Sequence, residues 1–156
     1  MMTTTIPASL EAEHGALRDE LHDLAAAGGT LGETAKKVLA VLEPHLERED
    51  VLVHPILASL AELAEGRIET ATADLILLAN RLREAVPAMR AEHVEIAAAL
   101  ADLVAAARAA NREDAIDLAE RLLRHARLEE EFLYPAAMIA GEYLKLRITF
   151  DDPRAV

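Results

Sequence analysis

An internal repeat limits the folds open to this chain more than any other part of its sequence. The segments HLEREDVLVHP, residues 45–55, and HARLEEEFLYP, residues 125–135, share a histidine, a glutamate four residues later and a proline six residues after that. A second pair of segments, around His14 and His93, matches at an offset of 79 residues. The chain therefore consists of two related halves. Each half carries a lone histidine and then a His-x-x-x-Glu motif.

Four long helices are predicted between the strongest stop signals. Apolar residues make up 53% of the chain, with two Phe, two Tyr and no Trp, a composition that favours helix over strand. Short connections between long helices favour antiparallel neighbours and an up-down four-helix bundle. The predicted helices span about residues 9–27, 30–65, 70–110 and 111–145. Kinks or short breaks are expected at four prolines, Pro44, Pro55, Pro87 and Pro135.

Local signals mark the expected helix ends. Gly28-Gly29 is typical of a helix stop. Thr30 and Glu33 have the spacing of a capping box, and Asn111 precedes two acidic residues, which favours a helix N-cap there. By length the chain is one domain. We expect this domain over residues 1–146, followed by a tail over residues 147–156.

Polar residues interrupt the inward stripe of every predicted helix. Apolar residues recur at alternating steps of three and four, which is the spacing of a seam in a helical bundle. On the second helix this stripe includes Val38, Leu42 and Leu52, and on the fourth it continues through Phe132 and Ala136. Six positions where Leu or Ile would be expected are polar instead: His14, His45, Glu49, His93, His125 and Glu129.

These six polar residues predict a shared metal site. A single histidine on an apolar stripe is most simply a hydrogen-bonded core residue, and an unpaired buried carboxylate is costly. Six such residues that recur by internal symmetry favour a common ligand. Side chains four apart on a helix project to one side about 6 Å from each other. Two carboxylates favour two metal ions, and imidazole with carboxylate but no sulfur fits iron or manganese better than structural zinc.

Composition excludes several other classes of function. The chain has no cysteine, which removes disulfides, thiolate metal ligands and thiol catalysis. A net charge of −12 disfavours nucleic acid and anionic lipid surfaces as partners. No apolar run reaches the roughly 18 residues of a membrane span. The opening residues MMTTTIPASL lack the pattern of a secretory signal, so a cytoplasmic location is expected.

The full pattern resembles the hemerythrin-like proteins of the HHE cation-binding class, in a variant with four histidines and two glutamates. The resemblance covers about residues 10–138 and includes both Glu-His pairs and the EEEFLYP ending. It implies an antiparallel four-helix bundle that holds a non-haem di-iron centre. It also implies that Glu49 and Glu129 bridge the two iron ions beside an oxo or hydroxo bridge.

One position departs from the oxygen-carrying members of that family. Those proteins supply a fifth histidine four residues before the position of His93, where this chain has Met89. Two six-coordinate irons would then keep roughly two of about twelve positions open, which favours activation of a small ligand over reversible O2 carriage. The expected ligand is hydrogen peroxide, O2 or NO, with catalase-like peroxide decomposition as one reaction. The alternatives are a non-catalytic module that binds or senses O2, NO or iron, and a purely structural metal.

Two further histidines lie off the predicted stripes. For His22 and His54 a position on the surface or around the site is favoured over ligation. His54 matches Tyr134 in the repeat, so this position is expected to border the site. Acidic residues next to the motifs, among them Glu92 and Glu130, are expected to be solvated or to orient imidazole N–H groups. Oligomeric state is left open by the sequence.

Overall fold

The computed structural model describes residues 7–67 and 72–151, with the side chain of the last residue left out. Within these residues the chain is helical and contains no β-strand, which confirms the all-helical prediction. None of the described helices is long and apolar enough to cross a membrane. The helices are α1 (Ala8–Ala26), α2 (Gly29–Leu52), α3 (His54–Ala58), α4 (Leu60–Ala64), α5 (Thr72–Ala109), α6 (Glu113–Leu128) and α7 (Tyr134–Asp151). A π-helical turn over Glu129–Leu133 joins α6 to α7.

Helix ends agree with the sequence signals at the first turn and differ from them at three other places, Thr30, Lys145 and Asn111. Helix α1 ends before Gly28 and Gly29, whose φ angles of 74° and 63° suit glycine. The predicted capping box is wrong, because α2 begins at Gly29 and places Thr30 inside the first turn. The predicted end near Lys145 is also passed, since α7 continues to Asp151. The predicted helix start at residue 70 lies outside the described residues.

Asn111 ends one helix instead of capping the next. Its φ of 53° is left-handed, a conformation that asparagine tolerates better than most residues. The N–H of Arg112 donates to the carbonyl of Ala107, and the N–H of Asn111 donates to that of Arg108. These two bonds form a Schellman motif at the end of α5. The predicted N-cap at Asn111 is therefore wrong, and Arg112 directly precedes α6.

The four prolines divide into two kinds. Helices α2 and α5 run through Pro44 and Pro87 without a break. Just before Pro55, α2 ends and α3 begins, and just before Pro135 the helix widens into the π-helical turn. A proline has no N–H and its ring crowds the carbonyl four residues earlier, so it weakens the preceding turn of the helix. The predicted break is found at Pro55, and at Pro135 the regular helix is interrupted by the π-helical turn; no break occurs at Pro44 or Pro87.

The π-helical turn changes which side chains face the core. A regular α-helix would direct Phe132 inward after Glu129, but the side chain of Phe132 is 61% exposed. The wider turn holds an extra residue, so the inward positions move to Tyr134 and Ala137, which are fully buried. The predicted inward position of Phe132 is wrong for this reason, and Ala136 is only partly buried.

Two apolar clusters form the core. On the long helices the six polar stripe residues lie at the boundary between the two clusters. The first cluster joins α1, α2, the later part of α5 and α6, and it includes Leu21, Leu42, Leu103 and Leu118. The second joins α3, the early part of α5 and α7, and it includes Ile56, Leu82, Met89, Tyr134 and Leu144. Helix α5 packs against α2, α6 and α7, and α1 packs against α2.

Candidate metal centre

All six predicted ligand side chains come together in the interior. None of them is more than 7% exposed. Their nitrogen and oxygen atoms form two groups in which every atom lies within 4.8 Å of the others. One group is His14, Glu49, His125 and Glu129, and the other is His45, Glu49, His93 and Glu129. The two glutamates belong to both groups, so the cluster has two adjacent positions with shared carboxylates.

Glu129 presents one oxygen to each histidine pair. Its Oε1 lies 2.5 Å from His125 Nε2, and its Oε2 lies 3.1 Å from His93 Nε2. Burial opposes ionisation of this carboxyl group. The facing imidazoles, His125 first, outweigh burial and hold the pKa of Glu129 well below its usual value. An ionised carboxylate therefore sits between the two pairs.

Glu49 is divided between the pairs in the same way. Its Oε2 lies 3.7 Å from His14 Nε2, and its Oε1 lies 3.6 Å from His45 Nε2. Burial and then the negative charge of Glu129 raise the pKa of Glu49 well above its usual value. Two buried carboxylates this close do not both ionise unless positive charge lies beside them. A pair of cations would supply that charge.

The inner nitrogens of each histidine pair are spaced as ligands of one ion. His14 Nε2 lies 2.9 Å from His125 Nε2, and His93 Nε2 lies 2.9 Å from His45 Nε2. Two imidazole nitrogens bound at right angles to a metal about 2.1 Å away would be about 3.0 Å apart. The pairs therefore have the spacing that a six-coordinate ion requires.

The outer nitrogens of the second pair fix which ring atom faces inward. His45 Nδ1 lies 2.8 Å from Glu92 Oε2, and His93 Nδ1 lies 2.7 Å from Glu130 Oε1. A carboxylate accepts a hydrogen bond, so each Nδ1 donates its proton, and in the neutral ring Nε2 carries the lone pair that faces the centre. At 2.9 Å the two Nε2 atoms need either a shared proton or a cation between them. The expected orienting roles of Glu92 and Glu130 fit this arrangement.

The first pair has looser outer contacts. His125 Nδ1 lies 3.2 Å from Glu13 Oε1, and His14 Nδ1 lies 3.7 Å from Asp50 Oδ1. Among the described residues, four buried side-chain atoms have no well-aligned hydrogen bond: His14 Nδ1, Glu49 Oε2, His54 Nδ1 and His125 Nδ1. All four belong to this cluster or adjoin it. Buried polar atoms are otherwise nearly always paired, so the donor set fits metal ions bound at this place.

Two residues off the predicted stripes border the centre, and both are buried. The Tyr134 hydroxyl donates to Glu49 Oε1 at 2.5 Å, and its ring is nearly parallel to that of His93, at 12° with ring centroids 6.0 Å apart. His54 is 2% exposed, and its ring centroid lies 4.8 Å from that of His14. The expectation that this repeat position borders the site is confirmed. Of the two positions expected for His54, the surface and the surroundings of the site, the structure has the second.

The two prolines that recur in the repeat account for the inward direction of these residues. In the second half, the N–H of Tyr134 donates to the carbonyl of Glu129, five residues earlier. In a π-helical turn a residue five positions on lies about one turn away, so Tyr134 faces the same side as Glu129. In the first half, the break between α2 and α3 brings His54 into the core. A proline one residue after the position was the sequence signal for both.

His22 lies on the surface, as expected. Its side chain is 58% exposed, and its Nε2 lies 2.9 Å from Glu43 Oε1. A cleft of about 680 Å³ lies between α1 and α6 and reaches His125. The exposed side chains of Leu128 and Phe132 help to line this cleft.

The fold and the cluster define a helical protein with a buried histidine–carboxylate site suited to metal ions. Residues 5–137 match the hemerythrin HHE cation binding domain family. Because this match covers most of the chain, the protein belongs to that family, as the motif pattern indicated. No curated protein and no solved structure matches the chain.

Proposed function

We propose that this chain is a non-haem di-iron protein that reacts with a small oxidant, namely hydrogen peroxide, O2 or NO, and that decomposes peroxide in a catalase-like reaction. The single observation that carries the proposal is the division of both buried carboxylates between two histidine pairs. Two metal positions joined by shared carboxylates are suited to reactions that need two electrons at once. A lone structural ion would need only one such position.

The proposed architecture around this centre is an antiparallel up-down four-helix bundle. Contacts between α5 and α7 support opposite directions, because Asn80 bonds Lys145 whereas the later Arg83 bonds the earlier Glu142. Ligands from α1, α2, α5 and the α6 end then meet at one level of the bundle. In such bundles, metal sites form from inward side chains of facing helices.

The protein side chains would hold and shield the proposed iron pair. Glu49 and Glu129 would bridge it beside an oxo or hydroxo group, and four imidazoles would bind through Nε2. Bound there, two iron ions would supply electrons and Lewis acidity for reaction with peroxide, O2 or NO. The outer carboxylates on Nδ1 would keep each ring in the orientation that directs Nε2 inward. No outside reductant is needed for peroxide, because two molecules of H2O2 yield two of water and one of O2.

The surroundings favour a small ligand. The six side chains are nearly inaccessible to solvent, so only a small molecule fits beside them. Met89, fully buried one turn before His93, replaces the additional imidazole of oxygen-carrying relatives with a thioether, a weak ligand for iron. We therefore favour the reaction of a small ligand at an open iron position over reversible O2 storage. Iron is preferred to manganese on the family resemblance.

The test uses the full-length protein loaded with iron without oxygen and then exposed to air. We expect two iron ions per chain and absorption in the near ultraviolet from an oxo-bridged pair. After addition of hydrogen peroxide, one O2 should be released for each two peroxides consumed. Metal analysis, an absorption spectrum and an oxygen electrode make the three measurements.

Zinc-loaded protein is the matched control, because it keeps the same ligands and has no redox chemistry. It should leave peroxide intact. Less than one iron per chain under saturating conditions would overturn the di-iron proposal. Two irons with a reversible spectral change in O2 and no loss of peroxide would favour the non-catalytic binding or sensing module instead.

A further inference from the structure

The internal symmetry of the centre fails at one position. Five residues after the first shared glutamate the chain has His54, and five residues after the second it has Tyr134. Tyr134 is directed at Glu49 through its hydroxyl. His54 lies on the other side of the cluster, beside His14. The two metal positions therefore have different neighbours.

His54 repeats the pattern of the four predicted imidazole ligands. It is buried, and its Nδ1 faces a carboxylate, with Asp50 Oδ1 at 3.1 Å. His45 and His93 use Nδ1 in the same way and direct Nε2 at the centre. A histidine whose Nδ1–H is held by a carboxylate keeps its lone pair on Nε2, the form that binds a metal.

Location and unmet bonding support the same role. Ligand atoms of His14, Asp50 and His54 lie within 4.8 Å of one another. The buried Nδ1 of His54 has no well-aligned hydrogen bond, so the bonding capacity of this ring is unmet in its present orientation. Asp50 also approaches His14 Nδ1 at 3.7 Å, so one carboxylate serves both rings. A small rotation about the side-chain bonds would align His54 with Asp50.

We infer that His54 is a fifth imidazole of this centre, a ligand to the ion held by His14 and His125. The ion held by His45 and His93 has no equivalent, because Tyr134 occupies the matching position and bonds Glu49. Open coordination is then concentrated at the second ion, not shared by both. The inference rests on the proposed iron pair.

The first experiment compares iron-loaded wild type with the His54→Ala and His54→Gln variants. Mössbauer spectra of wild type should contain two inequivalent irons in equal amounts. In both variants one of the two signals should change and affinity for one iron should fall about tenfold, while the other signal stays. A glutamine side chain still donates an N–H to Asp50. If His54→Gln behaves as wild type, His54 acts only as a hydrogen-bond donor and the inference is overturned.

His22→Ala is the matched control, since it removes an exposed imidazole that is in contact with Glu43 and belongs to none of the buried groups. It should leave both signals unchanged. Imidazole added to His54→Ala should restore the wild-type spectrum. Circular dichroism melts of the metal-free variants check that each one folds. A wild type without two irons would defeat the proposed function itself, whereas two irons with spectra unaltered in all His54 variants would defeat this inference alone.

A second variant tests whether a side chain at position 54 reaches the iron ion. His54→Tyr copies the residue of the other half, and a phenolate bound to ferric iron gives an intense visible colour. We expect a purple protein, and the colour should persist when Tyr134→Phe is added, which shows that it comes from position 54. If His54→Tyr is folded and holds two irons but lacks this visible absorption, the side chain at position 54 does not reach the ion.

Discussion

In the first half of the repeat, α2 ends at Leu52 and α3 begins at His54, with Val53 between them at φ −103° and ψ −54°. In the second half, the π-helical turn over Glu129–Leu133 carries the chain into α7 without a break. A proline follows in both cases and removes one backbone donor. One sequence signal therefore has two structural solutions, and both bring the fifth residue after the glutamate into the core.

The halves also differ in the state of their shared glutamates. Glu129 is held ionised by imidazoles, whereas burial and the charge of Glu129 favour the neutral form of Glu49. Similar motifs thus contribute two glutamates whose pKa values are shifted in opposite directions. This difference teaches that repeat symmetry places the side chains but does not make their chemistry equal. The predictions below test where the symmetry holds.

The largest effect is expected from Glu129→Gln and Glu49→Gln. Each should lose the bound metal pair, and with it about 4 kcal/mol of stability at a metal concentration of about 1,000 times Kd. Without metal the variants should differ. Glu129→Gln removes an ionised partner of several imidazoles and should cost about 3 kcal/mol at neutral pH. Glu49→Gln replaces a carboxyl group whose pKa is raised by burial and by Glu129, so the loss of its charge should cost less. Urea unfolding with and without chelator measures both effects, and equal losses without metal would contradict the opposite pKa shifts of the two glutamates.

Met89→His should slow the consumption of peroxide by about tenfold. The new imidazole would lie one turn before His93 and would occupy a position that we propose is open. Peroxide consumption should slow and a reversible spectral change with O2 should appear. Stopped-flow absorption measures both. Met89→Leu, which keeps an apolar side chain of similar volume, is the control and should react as wild type does.

Gly141→Ala tests a close helix contact that the first half does not repeat. A Cβ added at Gly141 would lie 2.3 Å from the Cβ of Ala79, so α7 must move away from α5. We expect a loss of about 1–3 kcal/mol in unfolding free energy. Gly15→Ala has nothing within 4 Å of the added Cβ and should stabilise α1 by about 0.5–1 kcal/mol. Equal effects of the two substitutions would rule out the tight packing of α5 on α7.

Tyr134→Phe removes the hydroxyl that bonds Glu49 and leaves the ring in place. Because the acceptor stays buried, the metal-free protein should lose about 1.5–3 kcal/mol. Tyr143→Phe, on the same helix and only partly buried, is the control and should change stability by less. Chemical denaturation curves decide the result. A loss no greater than that of the control would show that Glu49 does not depend on this bond.

The smallest effect is expected from Phe132→Ala. Phe132 is 61% exposed because of the π-helical turn, so its removal should change stability by less than about 0.5 kcal/mol. The repeat-equivalent Leu52 is partly buried against the second apolar cluster, and Leu52→Ala should cost more. Thermal melts of the two variants compare the halves directly. A core-sized loss from Phe132→Ala would indicate that the helix stays regular there.

Several features of this protein follow from the sequence alone. The spacing of three and four residues between apolar side chains reports helix geometry, so it predicted the helical class and the inward direction of His14, His45 and His93. A polar residue recurring in an apolar stripe is costly unless it has a partner, so the six-residue cluster was also readable. The family match over residues 5–137 agrees with this reading.

The tertiary structure decided the features that depend on deformed or distant backbone. Sequence spacing assumes a regular helix, so it placed Phe132 on the inward stripe and His54 off it. The deformed backbone before each proline leaves Phe132 exposed and His54 buried. Asn111 ended α5 because its left-handed conformation completes the bonds of that helix. Pairing of His14 with His125, and of His45 with His93, required helices far apart in sequence to pack. Periodicity fixes the direction of a side chain on its own helix, but only packing chooses its neighbour.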